Sequence, residues 1–183
     1  MARKTTVHVA LLRGVNVGGN RRVPMAEWRA LMEGLGYTRV RTLLNSGNAV
    51  FDALPSKQHA ARIRQALQDC LGVDVPVIVK TATEMAAIEA GNPLLAEATD
   101  FSRLVVAFAA SAEDLAGLAP VGALVGTSER WHLGQHAAYL WCGSGILESK
   151  AGAALLGKVG RAATSRNWAT LLKLVGLLGD GAG

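Results

Sequence analysis

The chain has 183 residues, of which 50% are hydrophobic and 18% charged, and its formal net charge is +5. This length fits one medium domain or two small ones, and this balance excludes a disordered chain and a collagen-like fibre. Its two cysteines, Cys70 and Cys142, are too few for a disulfide scaffold and indicate free thiols in a reducing cytoplasm.

The first 80 residues contain six predicted elements in the order βαββαβ. Apolar runs rich in β-branched residues predict strands at residues 7–12, 40–44, 49–51 and 75–79. Helical spacing predicts one helix over residues 24–35 and a second that opens at Pro55, with Ser56 as its N-cap and Gly72 at its end. This order predicts a ferredoxin-like unit with an antiparallel sheet of order 4-1-3-2.

The second half repeats this rhythm less regularly. The pattern predicts helices at 83–90, 112–118, within 146–159 and at 168–178, and strands at 104–109, 129–133 and 137–141. We therefore predict an α+β chain with two ferredoxin-like (α-β plait) subdomains. The first covers residues 1–81, a linking helix and linker cover 82–98, and the second covers 99–183 and ends in an amphipathic helix.

One end of the first predicted sheet carries a candidate binding site. In this topology the loop at residues 13–22 and the turn at residues 45–48 meet there, and the loop leads into the N-terminus of a helix, which attracts anions. The candidate ligand-binding residues are Arg13, Gly14, Asn16, Gly18, Gly19, Asn20, Arg21, Asn45, Ser46 and Asn48. Hydrogen-bond donors outnumber acceptors in this set, and a third arginine, Arg22, follows. This favours a phosphate, sulfate or carboxylate ligand. The alternative is that glycine and asparagine only serve tight turns and that the arginines face solvent.

The segment before the final helix has a second unusual feature. Ser165 or Asn167 is a suitable N-cap, and Arg166 then lies beside the positive end of the helix dipole. Either Arg166 and the helix share an anion, or Arg166 pairs with an acidic residue from the middle of the chain. We therefore add Arg166 and Asn167 to the candidate ligand-binding residues, whereas Trp168 is expected in the core.

Several established chemistries are not supported by the sequence. Gly14 and Gly19 have the spacing of a phosphate-binding P-loop, but Asn20 and Arg21 follow where lysine and serine or threonine are needed. His132 and His136 have a zinc-like spacing but lie on a predicted hairpin, so we expect no metal site. We also expect no cofactor, and no nucleophile or general base is evident, so whether the protein is an enzyme stays open.

Charge is segregated along the chain and keeps alternative partners open. Residues 1–80 carry 12 Lys/Arg against 5 Asp/Glu, whereas residues 81–129 carry 1 against 7. A basic face would suit RNA or single-stranded nucleic acid, although only Phe51 is available on the predicted third strand to stack a base. A protein-interaction module is the other alternative, and the uncharged stretch at 115–128 is too short to cross a membrane.

Four segments together resemble one bacterial family of uncharacterised proteins, catalogued as domain of unknown function 1697. They are residues 10–20 (ALLRGVNVGGN), 23–25 (VPM), 44–48 (LNSGN) and 165–168 (SRNW). The chain departs slightly from the family pattern at Asn20, Asn45 and Ala169. The resemblance covers nearly the whole chain and implies two ferredoxin-like subdomains, and it implies no established activity.

Overall fold

The computed structural model describes residues 4–19 and 21–179. Its chain divides into two compact units, one formed by the residues up to Ala82 together with those from Leu174 onward, the other by Thr83–Lys173. Residues 82–98 are predicted above to form a linking helix and a linker, and all of them except Ala82 fall within the second unit. In the described part of the chain, no helix combines the length and apolar character needed to cross a membrane.

The first unit contains the six elements that the sequence predicts, in the predicted order. They are β1 (Thr6–Leu12), α1 (Met25–Gly34), β2 (Thr38–Leu43), β3 (Asn48–Ala53), α2 (His59–Leu71) and β4 (Val77–Thr81). The strands pair antiparallel in the order β2-β3-β1-β4, which is the predicted order read from the opposite edge.

An apolar core lies between one face of this sheet and the two helices. Its fully buried side chains include Ala10, Leu12, Trp28, Met32, Ala49, Phe51, Ile63 and Leu67. These are the positions at which apolar residues alternate along the strands and recur at helical spacing along the helices. Because Phe51 is 0% exposed in this core, it is not available to stack a nucleic-acid base.

Helix α2 begins later than the sequence predicts. It starts at His59 after Gln58, and Ser56 is not its N-cap, because the Ser56 hydroxyl accepts a hydrogen bond from the Gln58 backbone N–H (3.1 Å) in the turn before the helix. The buried His59 ring bonds to the Leu54 carbonyl (2.9 Å) and the Tyr37 hydroxyl (2.9 Å). These bonds fix the first residue of the helix from within the core, where a local capping pattern gives no signal.

The second unit contains the same order βαββαβ, with one further helix before it and one after it. Its elements are α3 (Ala82–Ala90, whose first residue belongs to the first unit), β5 (Leu104–Ala109), α4 (Ala112–Ala116), β6 (Glu129–Leu133), β7 (Ala138–Cys142), α5 (Lys150–Leu156), β8 (Ala163–Asn167) and α6 (Trp168–Gly179, shared with the first unit). Two short 3-10 helices lie at Ala119–Leu124 and Ile146–Glu148. The antiparallel sheet has the order β6-β7-β5-β8.

Strand β8 is the element that the sequence analysis misses. It pairs with β5 along its length, with Ser165 opposite Ala107. Four of its five residues are Thr, Ser, Arg and Asn, so the strand lacks the apolar alternation that predicts a strand. Arg166 instead donates hydrogen bonds to the Thr164 hydroxyl (2.9 Å) and the Ser165 carbonyl (2.8 Å), which satisfies polar groups in a buried strand.

Candidate functional site

The loop at residues 13–22 and the turn that joins β2 to β3 meet at one end of the first sheet, as predicted. The Leu12 backbone N–H donates to the Gly47 carbonyl (2.9 Å), and the Arg13 backbone N–H donates to the Pro76 carbonyl (3.1 Å). The loop therefore leaves the sheet from its central strand β1, next to the turn before β3 and the segment that enters β4.

Asn16 connects the loop to the turn. Its side-chain amide donates to the Val23 carbonyl (2.9 Å) and to the Asn45 carbonyl (2.6 Å), and its Oδ1 accepts from the Val23 N–H (2.9 Å). Its backbone φ is +56°, a left-handed conformation that asparagine tolerates better than most residues. Both amide hydrogens are thus engaged within the protein, so Asn16 shapes the site and does not offer donors to a ligand.

Replacing Asn16 with glycine should lower the free energy of unfolding by about 2 kcal/mol, because three hydrogen bonds are lost while the left-handed backbone is kept. Urea unfolding followed by circular dichroism measures this change. Val17→Gly is the matched control, because Val17 is 72% exposed and the same new residue enters the same loop. Equal losses in the two variants would mean that the Asn16 bonds add nothing to stability.

Asn48 has a comparable role within the turn. It is fully buried, and its side-chain amide donates to the Leu43 carbonyl (2.9 Å) and the Ser46 hydroxyl (2.8 Å). The backbone φ is positive at Leu44 (+56°) and at Gly47 (+81°), on either side of Asn45 and Ser46. Asn48 therefore holds the turn in shape.

A cavity of about 580 Å³ opens where the loop meets the start of α1. It is lined by Asn16, Gly19, Arg21, Arg22, Val23, Pro24, Met25 and Asn45. Four of these, Asn16, Gly19, Arg21 and Asn45, are predicted site residues; Arg13, Gly14, Gly18, Ser46 and Asn48 lie outside the lining. Asn20 falls outside the described residues. The volume is in the range of small-molecule sites.

The sequence analysis did not include residues 23–25 in the site. It assigned Pro24 and Met25 to the first turn of a helix, and the structure places them in the wall of the cavity as well. The available signal was that the glycine-rich loop runs directly into the helix, so the first helical residues border whatever the loop encloses.

The cavity wall is strongly basic. Arg21 and Arg22 line it and are exposed, and Arg13, at the start of the same loop and outside the lining, is half-buried. Burial lowers the pKa of Arg13, and the positive charge of Arg21 lowers it further. An anion placed beside these guanidinium groups would favour the charged form of Arg13.

One acidic residue whose charge acts on Arg21, Asp74, already has a partner. Asp74 accepts two hydrogen bonds from Arg64, at 2.5 Å to Nε and 3.1 Å to the terminal nitrogen. The bond from Arg64 is the main reason that the pKa of Asp74 lies below its usual value, and the charge of Arg21 contributes less. Arg64 therefore compensates the charge of Asp74, and Glu27 in the first turn of α1 is a further acidic residue at this end of the helix.

The N-terminal end of α1 borders the same cavity. Helix α1 begins at Met25 after Pro24, and among the described residues no side chain caps it. Its first intrahelical bond runs from the Trp28 N–H to the Pro24 carbonyl (3.0 Å). The backbone N–H groups of the first turn and the helix dipole add to the positive potential of the arginines.

Arg166 and Asn167 have partners within the second unit. Asn167 caps α6, because its Oδ1 accepts from the Thr170 backbone N–H (2.9 Å), and this decides between Ser165 and Asn167 as N-cap. Arg166 is buried, and this burial lowers its pKa to about 10. That the two residues contribute to a ligand site stays a prediction.

The histidines considered for zinc, His132 and His136, belong to no cluster of metal-ligating side chains in the described part of the chain. His132 lies on β6 with its ring stacked on that of Tyr139 at 6.1 Å. Within residues 4–19 and 21–179, no group of three or more His, Cys, Asp or Glu side chains is arranged to hold a metal ion.

The two thiols should differ sharply in reactivity. Cys142 is fully buried and its burial raises its pKa to about 11, whereas Cys70 is exposed on α2. At pH 8, below that value, Cys142 stays a thiol, and the thiolate is the reactive form. Iodoacetamide should therefore modify one cysteine of the native protein and both in urea, as counted by mass spectrometry. Native Cys70→Ser should stay unmodified, and rapid labelling of Cys142 would contradict this assignment.

Comparison with known proteins identifies a family and a similar solved structure, and neither description states an activity. The family model described as "Protein of unknown function (DUF1697)" matches residues 5–139. A solved structure, described as the conserved bacterial protein SP0830 from Streptococcus pneumoniae, is 26% identical with a TM-score of 0.74, over 96% of this chain and 99% of that one. No curated protein matches the sequence significantly.

Proposed function

Because the chain belongs to the family described as "Protein of unknown function (DUF1697)", we propose a function from its own site: binding of a small anionic ligand that bears a phosphate or carboxylate. The observation that carries this proposal is the cavity of about 580 Å³ walled by Arg21, Arg22 and the N-terminal end of α1. Convergence of arginine side chains with a helix N-terminus is a recurring arrangement for binding anions.

Two further observations support this function over nucleic-acid binding. The aromatic side chain on β3, Phe51, is enclosed in the core. The cavity is also concave and compact, whereas a single-stranded nucleic acid needs an extended basic groove with stacking platforms. We further infer that both units are ferredoxin-like (α-β plait), because each has the order βαββαβ and the same sheet order.

A thermal-shift series at low ionic strength tests the proposal. Phosphate, sulfate and acetate are compared with chloride at equal ionic strength, together with a short RNA and a short DNA. A ligand that binds only the native state raises the melting temperature once its concentration exceeds its Kd, so phosphate or acetate should raise it and chloride should not. A shift with oligonucleotides alone, abolished by salt, would favour the nucleic-acid function instead.

A further inference from the structure

The wall of the cavity has two chemically different parts. One part is basic and polar, formed by Arg21, Arg22 and Asn45. The other part is apolar and is formed by Pro24 and Met25, with the fully buried Val23 beneath them in the core. A ligand that fills both parts needs an anionic end and an apolar end.

The size of the cavity also accommodates more than an inorganic anion. A volume of about 580 Å³ lies within the range of sites for drug-sized ligands. Free phosphate is about as large as a few water molecules, so it would occupy only the basic part. The apolar part of the wall would then remain exposed to water. A ligand with an apolar group would cover it and gain binding energy from that burial.

Met25 is suited to receive that apolar group. It is half-buried, packs against the core of the first unit, and lines the cavity as the first residue of α1, next to the helix N–H groups. Methionine is flexible and polarisable and packs well against aromatic rings. Val23 behind it is fully buried and gives the wall a fixed apolar base.

The basic part matches a doubly charged group better than a singly charged one. Arg21 and Arg22 both line the cavity, and the helix N-terminus adds further positive potential. A phosphate monoester carries nearly two negative charges at neutral pH and three acceptor oxygens, whereas a carboxylate carries one charge and two oxygens.

We propose that the ligand is a phosphate monoester with an apolar or aromatic substituent. Its phosphate lies against Arg21, Arg22 and the start of α1, and its substituent lies against Pro24 and Met25. This inference rests on the proposed anion-binding function and specifies its ligand class.

Titration calorimetry on the full chain tests the ligand class with phenyl phosphate, glycerol phosphate, inorganic phosphate and phenylacetate. Phenyl phosphate should bind about tenfold tighter than glycerol phosphate, because its phenyl ring is apolar and gains free energy on burial against the apolar wall, whereas the glycerol group is polar. Met25→Gln should abolish this preference, so that phenyl phosphate and glycerol phosphate bind with equal affinity. Met25→Leu, which keeps the wall apolar, should retain the preference.

The outcomes separate this inference from the proposed function. Equal affinity for phenyl phosphate and glycerol phosphate would overturn the apolar substituent and leave anion binding intact. Tighter binding of phenylacetate than of phenyl phosphate would overturn the phosphate. Failure of every anion to bind would overturn the proposed function itself. The ligand series on the unmodified protein decides the matter even if Met25→Gln fails to fold.

Discussion

Replacing Gly47 with alanine should lower the free energy of unfolding by about 3 kcal/mol, through steric overlap and backbone strain together. An added Cβ would lie 2.6 Å from the Leu12 Cβ and 2.9 Å from the Val15 Cγ2. Both neighbours are buried in the core, so they have no space into which to move. The backbone φ of +81° adds strain that glycine alone avoids.

Gly72→Ala separates the two causes. Gly72 also has a positive φ, of +66°, where it ends α2, but no described atom lies within 4 Å of its hypothetical Cβ. This variant should therefore lose only about 1 kcal/mol, from the left-handed backbone alone. Urea unfolding of both variants measures the difference. If they lose the same stability, steric overlap at Gly47 has no energetic role.

Gly47→Ala should also disturb the candidate site. The Gly47 carbonyl accepts a hydrogen bond from the Leu12 N–H, and Asn45 two residues earlier is bonded to Asn16. A displacement of the turn would therefore be transmitted to the lining of the cavity. Folding and ligand binding share this turn, so a binding defect in Gly47→Ala has to be interpreted together with its melting temperature.

The meeting of loop and turn was predictable because it depends on topology. The apolar periodicity of the first 80 residues gives the order βαββαβ, and that order places the end of β1 beside the start of β3. The turn glycines and asparagines then locate the loops. No contact between particular side chains is needed for this step.

The roles of individual site residues were not predictable in the same way. Asn16 and Asn48 are of a residue type that often donates hydrogen bonds to ligands. In this protein their side-chain amides donate to backbone carbonyls instead, that of Asn45 for Asn16 and that of Leu43 for Asn48. A turn asparagine that holds the loop and one that binds a ligand have the same sequence signature. Only the arrangement in space distinguishes them.

Strand β8 and the start of α2 were missed for a related reason. Strand β8 is fixed by its backbone pairing with β5, and the start of α2 by the bonds from His59 to Tyr37 and Leu54. Pattern-based prediction detects the hydrophobic face of an element and its local caps. It does not detect an element held by buried polar groups from elsewhere in the fold.

Arg21→Ala should weaken phosphate binding by about tenfold or more, the cost of losing one charge-assisted hydrogen bond to the ligand. Its melting temperature should change little, because Arg21 is exposed and its side chain lines the cavity. Removing Arg21 also relieves its repulsion of Arg13, which offsets its lost attraction to Asp74. Titration calorimetry with inorganic phosphate and thermal unfolding measure the two effects.

Arg29→Ala is the matched control for this variant. It removes the same side chain and the same charge from an exposed position on α1, where Arg29 forms an ion pair with Glu33 at 3.0 Å. Such an exposed pair contributes little to stability, and Arg29 is not part of the cavity lining. If Arg21 contacts the phosphate directly, Arg21→Ala should lose affinity for inorganic phosphate and Arg29→Ala should keep it. Equal losses would instead show that phosphate responds only to the net charge of the protein, and a marked fall in the melting temperature of Arg21→Ala would identify Arg21 as a structural loop residue.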